Sequence, residues 1–222
     1  KMFIIDVFPL TKIPHTIPQI LSYFHSAPLA AGAIVSIPLG RRQETAVVLD
    51  CHDASAQKLQ IKQADFEMKK IAKIENAASP LTPQQIELAL FLGQYYFTSP
   101  GLFAKMMMPR KATNFRFPIP NKISKSKFQK LILVPTIFQI HSSCASNSSN
   151  IRVWHSGLTQ RQKMEAWQAV KSGEVATIIG TRSAAFLPFA KLDEIIIEDA
   201  TNPNHRSWDM FPRYSTITIA RK

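Results

Sequence analysis

The stretch from Ile151 to Asp199 limits the folds open to this chain more than any other. It holds three short β-branched runs, Ile151-Arg152-Val153, Val175 to Ile179 and Ile195-Ile196-Ile197, each followed closely by polar or glycine residues. Those residues are His155-Ser156-Gly157, Gly180-Thr181-Arg182-Ser183 and Glu198-Asp199. Between the first two runs, Thr159 with Gln162 makes a capping box, Met164, Trp167 and Val170 form an apolar stripe, and Lys171 and Gly173 close a helix. The pattern is strand, helix, strand, loop, strand. It predicts an open parallel sheet, and such sheets bind ligands at the carboxyl ends of their strands.

The first hundred residues follow a different pattern. Phe3-Ile4-Ile5, Ala33 to Ile37 and Ala46 to Leu49 read as strands, with Ala31-Gly32 and Pro38-Leu39-Gly40-Arg41-Arg42 as the turns between them, so this part is predicted to be mostly antiparallel. Residues 61–75 read as a further strand region. At Thr82-Pro83-Gln84-Gln85 the period changes to that of a helix, with Ile86, Ala89, Leu90, Leu92, Gly93 and Tyr96 on its apolar face and Ser99-Pro100-Gly101 as its stop. Tyr95-Tyr96-Phe97 and Met106-Met107-Met108 read as core packing. Leu131 to Val134 opens the second part as a buried strand of the parallel type. Residues 142–150 are too polar for a helix and read as a loose loop, where a parallel sheet normally has a crossover helix. The fold class is therefore α+β followed by α/β, divided into residues 1–110, a linker over 111–130, and residues 131–222.

Charge narrows the partners. Lys and Arg number 27 against 15 Asp and Glu, a net +12, which favours a polyanion and nucleic acid first. Eight of those basic residues, Lys105, Arg110, Lys111, Arg116, Lys122, Lys125, Lys127 and Lys130, fall in the window 101–130, which has no acidic residue. With Phe115 and Phe117 interleaved, the window is either a solvated linker or a track along phosphates with bases stacked on it. Cys51 and Cys144 have no metal-ligand spacing and read as free thiols of a reducing compartment. Apolar runs are too short to span a bilayer, and the chain reads as cytoplasmic with no membrane partner.

Gly180-Thr181-Arg182-Ser183, just after a strand, offers amides, hydroxyls and a guanidinium to a phosphate; alternatively Arg182 pairs with a nearby carboxylate. Glu198-Asp199 after three isoleucines has the form of a Walker B pair, which would hold magnesium and position water. Its usual partner is missing, because none of the seven glycines is followed by lysine and no P-loop can be written. Six scattered histidines give no zinc pattern, and His155 reads as a strand-end residue.

Trp154 to Leu158, the Trp167 helix, Ile179 to Phe189 and Leu192 to Asp199 resemble the first helicase lobe of the PriA family, primosomal protein N′. Ala31-Gly32, Ile37-Pro38-Leu39-Gly40, Tyr95-Tyr96, Pro100-Gly101 and Pro109 resemble the same family's N-terminal DNA-binding domain. The resemblance implies replication restart, a RecA-like second part, and a first domain that grips the 3′ end of a nascent strand. In the family an Asp in a Phe-Asp-Tyr stretch helps grip that end; the matching positions here are Leu21-Ser22-Tyr23, which lack the carboxylate. The family's Asp-Glu-Glu-His box matches Glu198-Asp199-Ala200-Thr201, so its carboxylates are a relic and no catalytic residue is expected. The expected function is binding of forked or 3′-ended DNA without ATP hydrolysis and without a cofactor. Its contacts are Ser22, Tyr23, Gly40, Arg41, Arg42, Thr181, Arg182, Ser183 and the basic residues of 101–130. Two alternatives stay open: an ATP- and magnesium-dependent 3′-5′ helicase of which this sequence is an incomplete record, and an interaction module for replication or single-strand-binding proteins.

Overall fold

The computed structural model describes residues 1–54, 68–77, 79–108, 128–143 and 150–222. The chain forms two units, Lys1–Arg116 and Phe117–Lys222.

The first unit is built on a five-stranded sheet in the order β2-β1-β4-β3-β5, with β1 Phe3–Pro9, β2 Leu21–His25, β3 Ile34–Leu39, β4 Arg42–Asp53 and β5 Lys73–Asn76. Every neighbouring pair is antiparallel. Ile5, Val7, Tyr23, Val35, Ile37, Ala46 and Val48 share one buried cluster. Their neighbours Ile4, Phe8, Ile34 and Val47 are buried too. Both faces of the central strands are thus covered, which is why the sequence shows apolar pairs there in place of strict alternation. Residues 55–67 lie outside the described residues, so the strand region expected over 61–75 is seen only at its end, in β5.

Helix α1 spans Pro83–Tyr95 and begins as predicted, with Thr82 and Gln85 forming a reciprocal capping box and Pro83 in the first turn. Ser99-Pro100-Gly101 does more than stop it: Pro100 starts a second helix, α2, over Pro100–Met107. Proline lacks the amide hydrogen that the first turn leaves unused, so one signal both ends a helix and opens the next. Two contacts tie α2 to the sheet. The Ser99 hydroxyl accepts the Ile13 amide hydrogen at 3.0 Å, and Gly101 lies against the backbone of Pro9 and Leu10. Met107 is buried, in keeping with a packing role for the methionine run.

The second unit is a four-stranded, fully parallel sheet in the order β7-β8-β6-β9, with β6 Gln129–Leu133, β7 Ile151–Trp154, β8 Thr177–Gly180 and β9 Leu192–Ile197. Helix α4, Gln160–Ser172, has the expected capping box at Thr159 and Gln162 and ends at Gly173 in the left-handed conformation. Its Trp167 and Val170 cover one sheet face with Leu131, Leu133 and Ile178. The opposite face holds Val134, Ile140 and Ile179. Ile140 belongs to helix α3, Ile137–Ser143, which corrects the expectation of a loose loop from residue 142: the crossover after β6 has a helix, placed earlier in the chain. Its signal is Thr136 and Gln139, whose hydroxyl and amide oxygens meet at 3.0 Å, the third Thr-x-x-Gln start in this sequence. Residues 144–149, Cys144 included, lie outside the described residues.

Gln129 and Lys130, at the end of the range expected as linker, pair with β8 and β9. The isoleucines of β9 are only half-buried, because that strand lies at the sheet edge and not in its middle. A short helix α5, Thr216–Arg221, ends the chain.

Candidate nucleic-acid interface

In the first unit, β3 and β4 close a hairpin in which Leu39 pairs with Arg42 and only Gly40 and Arg41 lie between. Gly40 has φ +61° while Arg41 keeps a negative φ, the arrangement of a turn with glycine first. Arg41 and Arg42 are exposed at its tip. Tyr23, predicted as a contact, is only 5% exposed, and its hydroxyl donates to the Pro38 carbonyl at 2.9 Å. Burial pushes its phenol above the ordinary tyrosine value. Tyr23 therefore braces the hairpin from below.

Ser22 faces the other way and donates its hydroxyl to Asp6 Oδ1 at 2.6 Å, across the β1–β2 pair in which Ser22 and Asp6 are partners. On the far side Asp6 stands opposite Asp50, and His52 Nε2 lies 3.6 Å from Asp6 Oδ2 and 3.5 Å from Asp50 Oδ2. Two like charges set directly opposite repel, and the hydrogen bond from the Ser22 hydroxyl offsets part of that repulsion on the Asp6 side. The Asp6 carboxylate keeps part of its surface open.

Of the basic window, Lys105 is exposed on α2, while Lys130 in β6 forms an ion pair with Glu194 at 2.9 Å. Arg110, Lys111, Arg116, Lys122, Lys125 and Lys127 lie outside the described residues, as do Phe115 and Phe117.

In the second unit, all four strands end on one edge, so Trp154, Gly180 and Ile197 bring the three polar blocks of the sequence side by side. Arg182–Phe186 form a 3-10 turn there, preceded by Thr181. The Ser183 hydroxyl accepts the Trp154 indole hydrogen at 3.1 Å. Arg182 donates to the Arg206 carbonyl at 2.7 Å and to Asp209 Oδ1 at 3.1 Å. Of its two predicted roles, Arg182 thus has the carboxylate partner. Asp199 adopts φ +47°, and its two carboxylate oxygens accept from Thr201 Oγ1 at 3.2 Å and Asn202 Nδ2 at 2.8 Å, inside its own turn. The buried His205 Nε2 lies 2.9 Å from the Glu198 carbonyl and so carries its hydrogen on that nitrogen. Among the described residues no group of acidic, histidine and cysteine side chains could hold a metal ion, and no helix is long and apolar enough to cross a membrane.

Sequence reasoning missed the loop that Arg182 holds. Trp208, Met210 and Phe211 are 56%, 58% and 61% exposed, between the exposed Arg206 and Arg213. The loop is built, not slack: Ser207 donates its amide hydrogen to Tyr214 O at 2.8 Å, Trp208 donates its indole hydrogen to Pro203 O at 3.3 Å, and Arg206 lies over the Trp208 ring. Its signal is the same as at Phe115 and Phe117, aromatics between basic residues, but the segment Arg206 to Arg213 is short and its charge is partly balanced by Asp209.

Tyr214 anchors the base of this loop, its ring packed edge-on against Phe186 with centroids 5.0 Å apart. Burial pushes its phenol up to about 12, opposed by the Arg182 charge and assisted by Asp209. A raised phenol favours the neutral form in the folded state. The stabilisation is whole below pH 10 and is lost between pH 10 and pH 12, amounting to about 3 kcal/mol for a shift of roughly two pH units. Urea unfolding at pH 9 and pH 11 is expected to show a larger alkaline loss in the wild-type chain than in Tyr214→Phe, which keeps only the contribution of Tyr23; equal losses in both would contradict it.

Residues 10–109 match the family model described as the PriA 3′DNA-binding domain. The replication restart protein PriA of Helicobacter pylori is 26% identical over 234 residues, which cover 84% of this chain and 36% of that protein. PriA of Haemophilus influenzae is 34% identical over 108 residues, 46% of this chain and 15% of the relative, and PriA of Bacillus subtilis is 32% identical over 108 residues, 47% and 13%. The chain spans about a third of the length of the Helicobacter relative and less of the others.

Proposed function

Because this chain is homologous to the PriA family, we propose that it binds forked or 3′-ended DNA in the cytoplasm and does so without hydrolysing ATP. Residues 1–110 act as the 3′-end-binding domain, 111–128 as a basic segment that follows phosphates, and the rest as a RecA-like lobe that adds contacts. The observation that carries this assignment is the match over residues 10–109.

The geometry supports it at the position where the carboxylate expected from the resemblance is missing. Asp6 reaches across from the neighbouring strand to within 2.6 Å of the Ser22 hydroxyl, so a carboxylate stands there after all. A carboxylate accepts a hydrogen bond from a free 3′-hydroxyl and repels a phosphate. Arg41 and Arg42 at the hairpin tip are placed for the strand's phosphates, and Trp208 and Phe211 in the other unit offer stacking surfaces for unpaired bases. The absence of ATP turnover is supported by the sequence, which has no P-loop, and by Asp199, whose carboxylate is engaged in its own turn.

The test is binding of two forks that differ only in a 3′-hydroxyl or a 3′-phosphate, read by fluorescence anisotropy. A charge-assisted hydrogen bond exceeds a neutral one by roughly 1.4 kcal/mol, so the hydroxyl end should bind about tenfold more tightly. Asp6→Asn keeps an oxygen for Ser22 and should remove most of that preference. Equal binding of the two ends by the wild-type chain overturns the 3′-end assignment, and fork-stimulated ATP turnover overturns the ATP-independent part.

A further inference from the structure

We propose that His52 sets the end selectivity of the Asp6 site: with a neutral imidazole the site rejects a 3′-phosphate in favour of a 3′-hydroxyl, and with a protonated imidazole it admits both. The inference rests on the 3′-end assignment above and adds the residue that regulates it.

Each of the two carboxylates has one oxygen tied down. Asp6 Oδ1 accepts the Ser22 hydroxyl hydrogen at 2.6 Å, and Asp50 Oδ1 accepts the Cys51 amide hydrogen at 2.7 Å. The other oxygen of each, Oδ2, lies near one and the same atom, His52 Nε2, at 3.6 Å from Asp6 and 3.5 Å from Asp50. Strand register produces this convergence. Asp6 and Asp50 are partners across β1 and β4, and His52 follows Asp50 by two positions, so all three side chains leave the same face of the sheet. A neutral ring leaves both carboxylate charges uncompensated. A protonated ring sets one positive charge between them, and histidine is the side-chain type that changes charge between about pH 5 and pH 8. The His52 side chain is 38% exposed, so proton and ligand both reach it. Among the described residues few other charges face this spot. Ile4 is the residue opposite His52 on β1, β2 adds the uncharged Ser22 and Phe24 by alternation while His25 falls on the other face, and Lys70 lies beyond Phe24, to which it is bridged. Lys1 and Asp53 pair with each other at 3.2 Å. Strand β3 pairs with β4 only as far as Val47 and does not flank His52.

The experiment measures, at pH 8 and pH 5.5, the affinity of the 222-residue chain for forks ending in a 3′-hydroxyl or a 3′-phosphate, with His52→Gln and His52→Lys beside the wild type. At pH 8 the wild type and His52→Gln should prefer the hydroxyl end alike, by about tenfold. A unit charge roughly 6 Å away across an effective dielectric of about 60 changes the binding of an anion about fivefold. At pH 5.5 the wild-type preference should therefore be about fivefold smaller than that of His52→Gln. A terminal phosphate itself loses charge toward pH 5.5, equally for every chain, and His52→Gln is the control for that loss. His52→Lys, cationic at both values, should show the smaller preference at pH 8 as well. If the wild type and His52→Gln lose the preference equally at pH 5.5, the role of His52 is wrong and the 3′-end assignment stands. If His52→Gln has no preference at pH 8 while the wild type has one, His52 only holds Asp6 in place and the proposal is overturned. If the wild type has no preference at pH 8, the 3′-end assignment fails and the role of His52 falls with it.

Discussion

Gln129→Leu should destabilise the second unit by about 4 kcal/mol, although leucine matches glutamine in size and suits a residue only 1% exposed. The reason lies in four bonds. The side-chain amide donates to the carbonyls of Val170 and Val175, both at 3.1 Å, and its oxygen accepts the amide hydrogens of Ala190 at 2.7 Å and Lys191 at 3.1 Å. One buried side chain thus serves the end of α4, the entry to β8 and the entry to β9. Leucine leaves four backbone groups without those partners. The Val170 carbonyl keeps the Gly173 amide hydrogen at 3.1 Å; the other three cost roughly 1–3 kcal/mol each if nothing replaces the bond, and water reaching Ala190 and Lys191 recovers part of that total. A domain has a margin of about 5–15 kcal/mol, so this single change consumes a large share of it. Urea unfolding followed by tryptophan fluorescence would measure the effect, since all three tryptophans lie in this unit, and a loss below about 1 kcal/mol would show that water satisfies the groups left open.

Gly101→Ala should destabilise the first unit by about 3 kcal/mol, against the direction that helix propensity predicts. Gly101 is the second residue of α2, where alanine is intrinsically better by up to about 1 kcal/mol. A methyl group there would overlap the Pro9 carbonyl oxygen and lie 2.9 Å from Leu10 Cα. Those atoms are backbone at the end of a central strand, so no side chain can turn aside and α2 must move off the sheet. The steric cost exceeds the propensity gain, and the 3′-end preference should fall with the fold. Thermal unfolding of the variant is the measurement; an unchanged or higher melting temperature would show that α2 can shift without cost.

Both residues show what a linear sequence conceals. Gln129 reads locally as part of a basic linker because the residues before it are lysines and serines, yet its partners are 41 to 62 positions away. Gly101 reads locally as a helix stop because proline and glycine ordinarily end helices, whereas here proline opens α2 and glycine admits a neighbouring strand. Local signals were more dependable where a bond closes within one turn. The Thr82 cap and the Thr159–Gln162 box were legible because each threonine side chain meets a backbone amide three residues away. Thr136–Gln139 carries the same code and was obscured by the polar residues that follow it.

For the candidate site the division is similar. The tip glycine and the exposed Arg41 and Arg42 could be read from the turn alone, because a two-residue hairpin demands a positive φ and leaves its tip in water. That Asp6 lies against Ser22, and that Arg182 serves a loop beyond residue 200, could not be read.

The sequence by itself determined an antiparallel unit followed by a parallel one, their helix starts, the lack of a P-loop and the resemblance to the PriA family, since periodicity, caps and motifs are short-range properties. Only the tertiary structure decided which strand lies at the sheet edge, which carboxylate stands beside Ser22 and what Arg182 holds. Those depend on register between strands and on side chains that meet across long separations in the chain, and no local pattern encodes the distance between them.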